Sequence, residues 1–501
     1  MFNGEVLAFI VYFLVVLGIG FFFFFRSKGT GAKDYFLGGR SMGPWVTALS
    51  AQASDMSAWL LMGLPGSILA FGFGEIWIGI GLALGTAANW IFVAKRLRRF
   101  SCAANDSITL PQYLANRFGG DKKALQMISA IIFLVCFTVY VASAFVAGTK
   151  VFVTVFPGLE KGTAMLIFAV IILVYTFLGG YKAVCWTDFF QGLLMLVALL
   201  AIPIIAVVSG EADPFALTQV ITDNEGVAHG FGTSLFGSDW RDIVSGLAWG
   251  LGYFGMPHIL VRFMSIRKAK EINKAATIAI VWVVIALGAV VVMAILGRMI
   301  MGEELITAGV SDTVFIAFAR KYFPSFVAGL LMSAIIAASM STADSQLLVA
   351  SSSFTSDIYK PFIRKEASEK EIMWMGRAVV LVVAVIAYFI ASSKAEGAQA
   401  IMNLVENAWA GFGSAFGPVV ILSIFWKRFN YSGAVAGVIG GAVVDVIWLA
   451  SGLSASTGIY ELVPGFAAGF ICAVAVTLLT KKPDGMVEAI FETATNPELE
   501  D

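Results

Sequence analysis

Asp55 stands in ALSAQASDMSAWLLMGLPG, residues 48–66, an apolar stretch in which a carboxylate is expensive and as a rule functional. Ser54 and Ser57 add hydroxyl oxygens. Gly63, Pro65 and Gly66 follow and interrupt the helix, so backbone carbonyls would be freed beside the carboxylate. Oxygen donors of this kind suit a hard cation such as sodium, as they suit calcium and magnesium. A structural reading stands beside this one: Asp55 caps the next half-helix or pairs with a buried base.

A second oxygen-bearing stretch is AIIAASMSTADSQLL, where Ser339, Ser341 and Thr342 fall within one helical turn. Ser341 and Thr342 can offer hydroxyls to the Asp55 stretch; small hydroxyl residues also serve close helix packing. Asp188, in YTFLGGYKAVCWTDFFQG, is either a guide for cations or a first-turn acid at a helix N-terminus. Tyr140, Trp249 and Tyr253 are aromatic residues inside apolar stretches, and Trp249 and Tyr253 are four apart, so an unbroken helix would put both on one face. They form a wall for a small solute with an apolar body, or they are ordinary packing.

These residues need a membrane scaffold. The chain has 501 residues, 59% hydrophobic and 13% charged, with mean hydropathy +0.87. A soluble domain is about a quarter charged. Thirteen apolar spans are expected near 4–26, 44–70, 74–95, 124–156, 161–181, 187–209, 242–264, 275–299, 325–353, 373–393, 398–425, 431–453 and 462–480. The class is all-α, polytopic. The first span lacks a cleavage site and reads as retained.

Spans two and seven are interrupted, the latter as SGLAWGLGYFGMPH with Gly246, Gly250, Gly252, Gly255 and Pro257. Interrupted spans in corresponding places point to a transporter binding site. They lie five apart, and an odd offset inverts membrane orientation, so a five-plus-five inverted-repeat core is expected. The units are a leading helix and loop (1–43), first repeat (44–211), second repeat (212–428), two trailing helices (429–482) and a cytoplasmic tail (483–501). With the N-terminus outside, only Lys150, Lys161, Arg241, Arg298, Arg320, Lys321 and Lys394 of the 33 basic residues are external, as the positive-inside rule requires.

Lys plus Arg equals Asp plus Glu at 33 each, so charge gives no sign of a nucleic-acid partner. The four cysteines have no metal-ligand spacing, and no nucleotide loop, zinc motif or nucleophile elbow is present. No enzyme activity and no organic cofactor are expected.

Several stretches resemble the sodium/solute symporter family over nearly the whole chain. YTFLGGYKAVCWTD and KRFNYSGAVAGVIGGA are similar to its two signatures. DYFLGGRSMGPWVTALSAQASDMSAWLLMGLPG, WGLGYFGMPHILVRFM, AWAGFGSAFGPVV and MSTADSQLLV resemble its proline-carrying branch. The resemblance implies sodium-coupled uptake of L-proline through a bacterial inner membrane, with sodium as coupling ion. It implies sodium held by the carbonyls of Ala53, Met56 and Ala338 and the hydroxyls of Ser341 and Thr342, with Asp55 and Asp188 in support. It places proline near Ser57, Gly63, Tyr140, Trp249, Tyr253 and Pro257, and a cytoplasmic gate at Arg40. Trp45, Ala58 and Met256 depart from that branch's usual Phe, Gly and Gln. The alternatives are a sodium symporter for another small organic solute, and a solute sensor, which the want of an appended output domain disfavours.

Overall fold

The computed structural model describes residues 4–26, 31–119, 123–156, 158–393 and 398–496, with the side chains of 24, 26, 175, 178, 179 and 398–401 outside that description. The charge reading at Arg26, Lys28, Lys122 and Lys394, and the tail residues 497–501, therefore lie outside the described residues.

Eleven helices among the described residues are long and apolar enough to cross a bilayer. The two other expected spans differ for physical reasons. Span two is split into Pro44–Asp55, a π turn at Trp59–Gly63 and Leu64–Phe71. Span five begins at Lys161 and offers a shorter apolar helix, Lys161–Val174. Its helical run continues to Ser209, but Gly180, at φ +60°, breaks it. Span six therefore starts at Gly180, earlier than the expected 187. Asp188 is two turns inside that span, so the first-turn reading of its carboxylate is corrected.

Each end of the described chain is tied down by an arginine, Arg320 near the N-terminus and Arg117 near the C-terminus. Glu5 receives a bidentate pair from Arg320 at 2.9 and 2.8 Å. Arg117 donates to the Val487 carbonyl at 3.0 Å. That contact docks an unforeseen helix, Gly485–Thr495, in the expected tail. The loop near 210–241 carries two short strands, β1 (Ile221–Thr222) and β2 (Ala228–His229), paired antiparallel.

Span seven is split too, into Trp240–Gly252 and Pro257–Ser265. Met42, just before span two, forms a bridge with Ile266, just after span seven. The start of one broken span thus meets the end of the other, so the two run antiparallel. That is the relation inverted repeats create. Span three, continuous from Phe73 to Ala103, lies against span seven with backbones touching: a Cβ at Gly85 would fall 2.3 Å from the Gly250 carbonyl oxygen. Span nine, Ser325–Ser353, is buried from Leu331 to Ser353 along its whole circumference. Its small residues let spans two and six approach closely.

Candidate functional site

The interruption of span two determines which oxygens are available. In an unbroken helix the Ala53 carbonyl would accept from Ser57 N–H. That N–H turns instead to Asp55 O at 3.0 Å, and Met56 departs from helical geometry at φ −82°, ψ 77°. The freed Ala53 carbonyl accepts from Ser341 Oγ at 2.7 Å, and the same hydroxyl lies 3.2 Å from Ala338 O. The Met56 carbonyl loses its usual donor as well, because Leu60 N–H bonds to Ser57 O at 3.1 Å. Next to Ser341, Thr342 Oγ1 is buried with no hydrogen-bond partner among the described residues. Ala53, Ala338 and Ser341 oxygens therefore converge where the broken helix meets span nine. A small cation could replace the serine proton as the element joining them.

Asp55 lies on the side toward span seven. Its Oδ2 accepts from the Tyr253 hydroxyl at 2.6 Å, and its Oδ1 has no partner among the described residues although the residue is 1% exposed. Asp55 therefore pairs with a phenol, not with the base that one sequence reading allowed. Ser57 Oγ stands 3.5 Å from Trp59 N–H. The buried Tyr140 hydroxyl faces Ser57, Trp59 and Asp55 without a well-formed hydrogen bond.

The aromatic residues do meet. Trp249 stacks on Tyr460 at 5.4 Å and tilts against Trp59 at 6.4 Å and Trp409 at 6.3 Å. Tyr253 meets Trp409 edge-on at 5.0 Å. Gly63 faces the Met402 side chain so closely that a Cβ there would come within 2.7 Å of its sulfur. Pro257 opens the second half of span seven, in the first helical turn where proline is favoured. Ala58 and Met256 are buried at the two breaks, whereas Trp45 is 53% exposed on the bundle's flank. Only the first two departures can touch the site.

Asp188 occupies a different place from Asp55. Its Oδ2 accepts from Ser50 Oγ at 2.7 Å and from Arg262 Nη2 at 3.1 Å, and both charged residues are fully buried. The charge pattern puts Arg262 among the internal basic residues, since it is not one of the seven external ones. It is instead held inside span seven, donating also to His258 O at 2.8 Å and to Ser345. The signal was its position: an arginine five residues beyond a helix-breaking proline, still within apolar sequence, needs a buried partner.

Arg40 sits where the loop before span two meets the 101–107 segment and the end of span seven. Gly38, Gly39 and Arg40 all adopt left-handed backbone, with Arg40 at φ +53°. This turn aims the guanidinium inward, where it binds Asp106 at 2.8 Å, Ser101 Oγ at 3.1 Å, Ser107 O at 2.9 Å and Met264 O. Those partners join the 101–107 segment to the end of span seven. Lys33 also pairs with Asp106.

Two broken spans whose freed carbonyl oxygens meet buried hydroxyls inside a bundle of membrane-length helices fit the class of multi-pass secondary transporters. More narrowly, the chain belongs to the sodium:solute symporter family, which matches residues 35–441. It is 43% identical over 501 residues to the sodium/proline symporter of Haemophilus influenzae, covering 98% of both chains. It is 44% identical over 479 residues to the high-affinity proline transporter PutP of Bacillus subtilis, covering 95% of this chain and 98% of that one. Among solved structures, a sodium-coupled sialic acid symporter in a substrate-bound outward-open state superposes with TM-score 0.74 at 19% identity, over 96% of this chain and 98% of the other. That likeness concerns the fold.

Proposed function

We propose that this protein imports L-proline with sodium across a bacterial inner membrane by alternating access, with its N-terminus outside and its C-terminus in the cytoplasm. The observation that carries the reading is the Ser341 Oγ–Ala53 O contact of 2.7 Å beside the Thr342 hydroxyl, which has no partner among the described residues. The names of the full-length relatives support the substrate. Charge supports the orientation, because the expected cytoplasmic segments carry most basic residues.

Sodium enters first in this scheme. The carbonyls of Ala53, Met56 and Ala338 with the hydroxyls of Ser341 and Thr342 hold it, tying the broken span to span nine. Asp55 holds Tyr253 from the neighbouring side, so the ion's arrival and the posture of the aromatic wall are linked through one helix break. Proline then meets Ser57, Gly63, Tyr140, Trp249, Tyr253 and Pro257. Its carboxylate is received by backbone N–H groups at a half-helix N-terminus. Release to the cytoplasm requires the Arg40 contacts to part. Asp188 supports this step from the sodium side of span six.

One charge crossing 100 mV supplies about 2.3 kcal/mol and a tenfold sodium gradient about 1.4, enough for roughly 500-fold accumulation at one sodium per proline. The test is uptake of labelled proline into proteoliposomes driven by an inward sodium gradient. Uptake that is indifferent to alkali cations, or a panel in which another solute is taken up and proline is not, refutes the proposal.

A further inference from the structure

The break in span seven leaves two backbone carbonyls without helical donors, and side chains from two other spans serve them. Pro257 has no N–H, so the Tyr253 carbonyl four residues earlier cannot be satisfied within the helix. Asn89 Nδ2 donates to it at 3.0 Å. The Trp249 carbonyl loses its donor because Tyr253 N–H turns to Leu251 O, and Trp409 Nε1 donates to it at 2.8 Å. Asn89 is 1% exposed and lies within the apolar span three, where an amide without a partner would be costly. Its place is well defined: span three touches span seven backbone to backbone through Gly81, Gly85, Gly246 and Gly250, and a π turn, Asn89–Ala94, begins at this residue. Such turns are frequent at functional sites.

We infer that Asn89 is a positioning residue for sodium coupling: by holding the Tyr253 backbone it sets the direction of the Tyr253 ring, and so the 2.6 Å bond from that phenol to Asp55. Thr86, one turn before Asn89 on the same helix, faces the Tyr253 hydroxyl and bounds the ring on that side. A carboxamide suits this position because the partner is a carbonyl. Aspartate offers no donor when ionised, and leucine offers none at all.

The inference rests on the sodium–proline reading, and one set of proteoliposomes separates the two. Sodium-driven proline uptake by the unaltered protein tests the reading itself. The positioning role is tested by a double-mutant cycle between Asn89→Ala and Tyr253→Phe, measuring half-saturating sodium at equal amounts of reconstituted protein. Asn89→Ala alone is expected to raise half-saturating sodium by about tenfold. In the Tyr253→Phe background, where the bond to Asp55 is already gone, it is expected to add nothing further. Equal effects in both backgrounds, or no effect in the first, overturn the role. Asn89→Gln keeps the donor and should recover part of the sodium affinity. Should the alanine variant fail to assemble, Asn89→Leu, which keeps the side-chain volume and has no donor, carries the same cycle with the same two outcomes.

Discussion

The Tyr253 hydroxyl donates to Asp55 Oδ2 at 2.6 Å and joins the breaks of spans two and seven across the centre of the bundle. A carboxylate expected to serve the ion and a phenol expected to serve the substrate are therefore one unit. Asp55→Asn is expected to weaken apparent sodium affinity and transport together, by about tenfold or more given the strength of hydrogen bonds to charged groups. Tyr253→Phe should shift the same sodium curve. A sodium titration of uptake checks both. Unchanged sodium dependence in Asp55→Asn removes the residue from the site.

Ser341 and Thr342 are adjacent but differ in what their hydroxyls touch. Ser341→Ala loses the bond to Ala53 O, so it should cost about 1 kcal/mol of stability in sodium-free buffer as well as sodium affinity. Thr342 Oγ1 has no partner among the described residues. Thr342→Ala should raise half-saturating sodium while leaving the sodium-free Tm in place. Thermal melting with and without sodium distinguishes them, and a loss of stability without any change in sodium response would favour simple packing.

Asp188 and Arg262 form a buried ion pair at 3.1 Å. Removing one partner of such a pair leaves an uncompensated charge and typically costs about 3–5 kcal/mol. Asp188→Asn and Arg262→Met should each lower Tm and expression sharply, and the double variant should lose less than their sum. Asp188→Asn with unaltered Tm and a displaced sodium curve would instead put this carboxylate in direct service of the ion.

Arg40 holds four partners, and lysine cannot span them with one compact ammonium. Arg40→Lys and Arg40→Ala should both increase modification of a cysteine placed at Ser57, in a chain whose four native cysteines are replaced, by impermeant reagent applied to the proposed cytoplasmic side. Partial burial pushes the Asp106 carboxyl up, but the hydrogen bond from Lys33 and the charges of Arg40 and Lys33 outweigh it and hold the group below its ordinary value. A depressed carboxylate contributes its stabilisation above the unfolded value and loses it as pH falls through the folded one. Modification should therefore stay low from pH 7 to about 5. A rise within that window would mean that Asp106 does not close the network.

Much of the architecture was legible one residue at a time. Apolar length alone located spans one and thirteen, expected at 4–26 and 462–480 and found at Gly4–Arg26 and Leu462–Leu479, because a bilayer demands about 20 such residues and forbids unpaired backbone. Gly63, Pro65 and Pro257 marked the broken spans, since proline and glycine weaken helices through local sterics and entropy. Asp55 drew notice because burial of a carboxylate is costly wherever it occurs. Pairings were another matter. That Ser341 would reach Ala53, that Tyr253 would take Asp55, and that Asp188 would find Arg262 instead of a helix end depend on contacts between residues 74 to 288 positions apart. Such contacts are set by how whole helices pack, and spacing along one helix carries no record of its neighbour across the bundle. For the same reason the donors Asn89 and Trp409 passed as ordinary span residues: the carbonyls they satisfy become unpaired only once span seven has unwound beside them.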